Sequence, residues 1–359
     1  MKQKIMQKSQ LADLINAVKD EYDVYAPVET ENCNLQFQKV ANAEKIRIDY
    51  LNTKSPPKEI VFPRTEVLFE YEFITTEDGK REPKLIPPKI PDRNMAILAI
   101  RPCDARSFQY LDNFFDWGKF KDDLYKSKME KLVLIGMGCN SPKQTCYCTS
   151  LGGHPFGKDN LDVFMVDLGE TLMLEALTEK GEKFMGKLSF LKDASDADVN
   201  KAKELSDKAE KTITITIDFS KTKGILDDAF YNEVWDEIAE TCLGCGSCTF
   251  LCPTCHCFDV IDENDYANNR GRRVRLWDSC QTTLFTLHTS GHNPRTKKKQ
   301  RCRQRIEHKF CYYPKNYDLV GCVGCGRCII ACPVNNDTRK IIESINAIAK
   351  KKGAEVKVA

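Results

Sequence analysis

The chain has 359 residues, 42% hydrophobic and 30% charged, with 54 Lys and Arg against 52 Asp and Glu for a formal net charge of +2. That length predicts about two globular domains, and the balanced charge removes any global attraction to nucleic acid or to an anionic membrane. Met1–Gln10 is rich in Lys and Gln without an apolar stretch, and no segment is apolar enough to span a bilayer, so the expectation is a cytoplasmic protein without leader or anchor. In that reducing compartment the 18 cysteines read mostly as metal ligands, not disulfides.

The first predicted element is an amphipathic helix over 11–18, with Leu11, Leu14, Ile15 and Val18 on one face. From Val24 to about Ile90 the text is strand-like and punctuated by proline. Lys45–Tyr50 and Val67–Phe73 both alternate, and Glu77-Asp-Gly-Lys is a turn signal. Ala96–Ile100 and Lys131–Gly136 are apolar runs of the kind buried on both faces, and the Asp104–Phe115 segment between them reads as a helix. Strand, helix and strand make a unit of an α/β sheet, which Val163–Asp167 and Thr171–Glu175 extend. Ala194–Lys211 reads as a solvent-facing helix, followed by a strand-like Thr212–Ile217.

Cys103 follows the first of the two buried strands and Cys139 the second; Cys146 and Cys148 come shortly after, spaced by two. If those strands are parallel, both cysteines emerge at the carboxyl edge of the sheet, where α/β proteins place their sites. The polar surroundings of Asn140, Ser141 and Lys143 are unusual for packing cysteines. A [4Fe–4S] cluster on these four thiols is therefore preferred over zinc or plain packing.

A helix over 225–240 leads into Cys242-Leu-Gly-Cys245-Gly-Ser-Cys248-Thr-Phe-Leu-Cys252-Pro253, and the same pattern recurs as Cys322-Val-Gly-Cys325-Gly-Arg-Cys328-Ile-Ile-Ala-Cys332-Pro333. The run C-x₂-C-x₂-C-x₃-C-P wraps a [4Fe–4S] cluster in bacterial ferredoxins, with its fourth cysteine serving the neighbouring cluster. Cys242, Cys245, Cys248 and Cys332 are accordingly assigned to one cluster, and Cys322, Cys325, Cys328 and Cys252 to a second. Gly244, Gly246, Gly324 and Gly326 supply tight turns that let backbone N–H groups point at sulfur. Roughly seventy residues separate the runs, far more than a compact connection needs. That insert holds Trp277-Asp-Ser-Cys280, a helical reading around Leu284–His288, a Gly291-His-Asn-Pro-Arg turn and the basic stretch Lys297–Arg305; a helix over 338–351 closes the chain.

The fold class expected is thus an α/β N-terminal domain (1–224) with a mixed, partly parallel sheet. A helical, ferredoxin-like C-terminal domain (225–359) holds two [4Fe–4S] clusters, with a long insert between its cysteine runs. Cys33, Cys255, Cys257, Cys280, Cys302 and Cys311 meet no ligand spacing and read as packing around the clusters. The alternative for them is a further metal site from Cys255, His256, Cys257 and Cys280, or redox-active thiols. The basic stretch suits an acidic redox partner better than nucleic acid. No dinucleotide fingerprint, P-loop or nucleophile elbow occurs, so no flavin or nicotinamide site is readable.

The element Cys242–Asp259, which continues its run as Pro-Thr-Cys-His-Cys-Phe-Asp, together with Gly321–Cys332, resembles the iron–sulfur β subunits of cytoplasmic sulfhydrogenases and the A subunit of anaerobic sulfite reductase. Trp277–Cys280, Gly291–Arg295 and Arg101–Asp104 strengthen the likeness. The resemblance implies an electron conduit between a flavin- and NAD(P)-binding diaphorase-type subunit and a terminal hydrogenase, sulfite reductase or heterodisulfide reductase module. It implies no catalytic residue in this chain. The rival reading is a catalytic subunit that itself reduces sulfite or polysulfide. Iron analysis separates the cluster inventories: the two runs alone bring about eight Fe per chain, and the Cys103–Cys148 set brings about four more. A content near eight without zinc would remove that third cluster.

Overall fold

The structure is a computed structural model that describes residues 3–31 and 34–355; Cys33 lies outside the described residues. In chain order the N-terminal strands are β1 (Lys4–Gln7), β2 (Tyr22–Glu29), β3 (Leu35–Val40), β4 (Thr65–Thr75), β5 (Arg81–Ile86) and β6 (Asn94–Ile100). They are followed by a short hairpin, β7 (Asp116–Trp117) and β8 (Phe120–Lys121), then β9 (Leu132–Met137), β10 (Val163–Asp167), β11 (Thr171–Ala176) and β12 (Lys192–Asp193). One eight-stranded sheet runs in the order β12-β1-β11-β10-β9-β6-β2-β3. Its centre is parallel, where β2, β6, β9 and β10 pair side by side, and its margins are antiparallel. The mixed, partly parallel sheet is therefore as expected.

Helices cover both faces of the sheet. The helix α1 (Leu11–Val18) and α4 (Glu179–Met185) close a core on one side with Val24, Leu98 and Ile135. On the other side α2 (Pro102–Phe115), α3 (Asp123–Glu130) and α5 (Asp196–Thr212) pack on Ile97, Leu134 and Phe164. Every residue of β9 is buried, which is why its sequence is apolar throughout with no alternation.

The C-terminal part is helical: α6 (Thr222–Asp228), α7 (Val234–Glu240), α8 (Ser247–Phe250), α9 (Lys298–Glu307), a π-helical turn at His308–Tyr312, α10 (Tyr313–Tyr317), α11 (Arg327–Ile330) and α12 (Thr338–Glu355). It has its own apolar core, in which Trp235, Ile306, Phe310, Ile342 and Ile345 meet Leu226.

Four local expectations change. The helix predicted over 225–240 is broken into α6 and α7, because Asn232 Oδ1 accepts the Val234 N–H and starts a new helix. Thr212–Ile217 forms no strand. Its Ile217 N–H is taken up by Ser150 Oγ, while Ile215 and Ile217 join the C-terminal core. Lys45–Tyr50 keeps only a single bridge from Ile46 to Val28. The Leu284–His288 segment is turns and not helix; Asn293 holds it by accepting from Thr286 Oγ1 and donating to the Thr283 carbonyl.

The insert also contributes β13 (Phe258–Asp265) and β14 (Arg270–Trp277). These form a hairpin that pairs through β14 with β4 in a second, four-stranded sheet, β13-β14-β4-β5. The regions on either side of residue 224 therefore share a sheet. A buried ion network pins it: Arg275 pairs with Glu66 and Asp122, and Glu66 also pairs with Lys128.

Candidate iron–sulfur site

Three of the expected cysteine groups each line a cavity. Cys242, Cys245, Cys248 and Cys332 face one another around the first. Cys252, Cys322, Cys325 and Cys328 line the second. In each, the fourth thiol comes from the opposite run, as the pairing rule for two-cluster domains requires. The third cavity is lined by Cys103, Cys139, Cys146 and Cys148, at the carboxyl ends of β6 and β9.

The run loops have the backbone that sulfur contacts need. Gly244, Gly246, Gly324 and Gly326 all have positive φ, between 66° and 74°, and the Gly244 and Gly324 amides point at the Cys242 and Cys322 sulfurs from 3.4 Å. Asn336 N–H does the same for Cys332 at 3.2 Å. Gly324 has a second reason to be glycine: a Cβ there would stand 2.6 Å from the backbone of Tyr147 and Cys148. The second run thus lies directly on the loop carrying the third set.

That contact is dense with hydrogen bonds. Tyr147 N–H donates to the Gly324 carbonyl at 3.0 Å, and Asn52 Nδ2 donates to the Cys325 carbonyl at 3.2 Å. At its centre Arg327, between Cys325 and Cys328 of the run, reaches Asp104, the neighbour of Cys103. The pair is bidentate at 2.5 and 2.7 Å, and Arg327 also donates to Thr53 through Nε and Nη2. Asp104 is wholly buried and Arg327 nearly so. Cys325 lines both the second and the third cavity.

The Arg101-Pro-Cys-Asp motif explains how strand ends become a site. Ala99 has φ 62° at an irregularity in the β6–β9 pairing, and its carbonyl accepts from Tyr50 Oη at 2.7 Å. This strained step turns the chain so that Arg101 lies over Tyr50 and donates to the Gly138 carbonyl at 2.7 Å, beside Cys139. Burial pushes the Cys103, Cys139 and Cys146 thiols up, and Cys148 up to about 12.

Two buried cations stand among the sulfurs. Lys309 Nζ donates to Cys252 Sγ at 3.2 Å and to Thr254 and Gly321. Arg305 lines both the first and the second cavity, and its Nε has no hydrogen-bond partner. Burial opposes both charges, but the surrounding cysteine sulfurs outweigh it and hold Lys309 and Arg305 well above their ordinary values.

The remaining cysteines divide. Cys311 is core, beside Ile306 and Phe310, and donates to Asp227. Cys302 lines the first cavity with Cys242. Cys255, Cys257 and Cys280 face one further cavity. The basic stretch is largely engaged within the chain. Lys299 pairs with Asp236, Lys298 donates to the Glu240 carbonyl, and Arg303 lies 3.6 Å over the Phe230 ring.

The fold and these thiol sets define the class: an iron–sulfur protein with a mixed-sheet domain and a dicluster domain. Residues 241–336 match the 4Fe-4S dicluster domain. Over 340 residues the chain is 29% identical to Sulfhydrogenase 2 subunit beta of Pyrococcus furiosus, which covers 93% of this chain and 95% of that relative. The resemblance read from the motifs therefore extends along nearly the whole chain. No solved structure matches it. Among the described residues no helix is long and apolar enough to cross a membrane.

Arg327→Gln leaves Asp104 buried and unpaired, and is expected to lower stability by about 3–5 kcal/mol. Anaerobic chemical denaturation followed by tryptophan fluorescence reads this as a lower midpoint.

Proposed function

We propose that this chain is an electron relay in a cytoplasmic oxidoreductase complex. It passes electrons between a flavin- and NAD(P)-binding subunit and a terminal redox module, a hydrogenase on the strength of the relative's name, with sulfite reductase or heterodisulfide reductase modules as the other members of that class. The two runs hold two [4Fe–4S] clusters, through Cys242, Cys245, Cys248 and Cys332 and through Cys322, Cys325, Cys328 and Cys252. Cys103, Cys139, Cys146 and Cys148 hold a third. Residues 225–359 form the ferredoxin-like domain and residues 1–224 the α/β domain that carries the third cluster.

The observation that carries this reading is the chaining of the cavities. Arg305 lines the first and second, and Cys325 lines the second and third, so three clusters would stand in a row. Iron–sulfur clusters supply one-electron transfer over a wide range of potentials, tuned by burial and N–H···S bonds. The protein's part is to hold the thiolates, keep water out and set the local charge. Lys309 and Arg305 place positive charge beside the second cluster and so favour its reduced form.

Cys146→Ser is expected to stop electron transfer from one partner subunit to the other while each partner keeps its own half-reaction with artificial dyes. The assay is coupled turnover of the reassembled complex, and undiminished turnover in the variant would contradict the relay.

A further inference from the structure

We infer that Cys255, Cys257 and Cys280 hold an additional [4Fe–4S] cluster, with the His308 imidazole at its fourth corner. The insert's hairpin is the device that assembles the site. Phe258 pairs with Trp277 at its open end, and the Asp278 N–H donates to the Cys257 carbonyl at 3.0 Å. Cys257 thus precedes β13 and Cys280 follows β14, so antiparallel pairing brings together thiols that the sequence separates. Cys255 lies just upstream of Cys257, on the segment that leaves the first run at Cys252.

All three thiols and His308 line one cavity of about 280 Å³. A single closed ion site needs donors that converge within about 2.0–2.3 Å of one point. Among the described residues no group of three or more His, Cys, Asp and Glu could hold a single metal ion. Soft thiolates around a wider space suit an iron–sulfur core. The histidine is placed by the π-helical turn His308–Tyr312 that follows α9, and such turns gather at functional sites.

The charge around the cavity needs an anion. Arg305 and Lys309 line it as well, only 7% and 4% exposed, and neither has a carboxylate partner among the described residues. A buried cation without a counter-charge is costly, and the thiolates of the two runs supply only one side of that balance. Lys58 adds a third buried cation, donating to the Cys255 carbonyl and lying 4.2 Å from the Trp277 ring. A cluster bound by thiolates carries net negative charge, and Arg305 Nε, without a partner, stands beside it. Because Arg305 also lines the first and second cavities, the added cluster joins the others as a branch at their centre.

This site is independent of the relay reading, and its test reads metal content. Full-length protein is prepared anaerobically, and iron, acid-labile sulfide and zinc are counted alongside electron paramagnetic resonance of the reduced state. The Cys257→Ser/Cys280→Ser double variant is expected to lose about four Fe and about four sulfide per chain while the dicluster signals persist. Cys248→Ser, as the control, is expected to alter the dicluster signals and leave the added one. Should the double variant not fold, His308→Asn is expected to fold, keep its iron and change one signal's shape and midpoint potential. A double variant with full iron content, a loss of zinc in place of iron, or a His308→Asn spectrum identical to the parent would overturn the site.

Discussion

The ion pair between Arg327 and Asp104 is the contact on which the rest of the structure depends. Each residue sits beside a cavity-lining cysteine, Arg327 before Cys328 and Asp104 after Cys103, and each belongs to a different half of the chain. Buried on both sides and bidentate, with Thr53 accepting from Nε and Nη2, it meets the conditions under which a buried pair holds its place: good geometry and most of its donors engaged. Its effect is positional. It fixes the second cysteine run against the carboxyl edge of the sheet, so that two thiol-lined cavities meet through the residue they share, Cys325.

Charge is handled differently around the sulfurs. Arg327 has a carboxylate; Lys309 and Arg305 have thiolates. Interior cations without carboxylate partners are costly unless sulfurs beside them are ionised, and beside the clusters proposed above the same cations would favour the reduced forms. The fold and the redox chemistry therefore lean on each other. Without its metal the C-terminal half would retain an apolar core around Trp235 and Ile342, yet would keep buried positive charge with nothing to answer it.

Much of this was legible in the residues because cysteine spacing and apolar runs are local signals. The two C-x₂-C-x₂-C-x₃-C-P runs announced a dicluster domain. The apolar runs within β6 and β9 announced a buried parallel pair, and with it the convergence of Cys103 and Cys139. What could not be read depended on distant pairing. The strands β13 and β14 carry exposed charge, Asp262 and Glu263 against Arg272 and Arg273, so they lack an alternating apolar face, and their partner β4 lies far upstream. Cys257 and Cys280 therefore looked unrelated until the hairpin joined them. Alternation also misled at Thr212–Ile217, where the isoleucines serve the C-terminal core without any neighbouring strand. The role of Arg327 was hidden for a similar reason: within the run it looks like one more basic residue, and only its partner across the chain explains it.

The central claim is that the clusters stand close enough to form one conducting row. A stepwise reductive titration of the anaerobic protein, followed by electron paramagnetic resonance, tests it most directly. The account predicts that signals appearing singly at partial reduction broaden and split as neighbouring clusters become reduced, because adjacent paramagnets couple. Signals that add without interacting up to full reduction would contradict it.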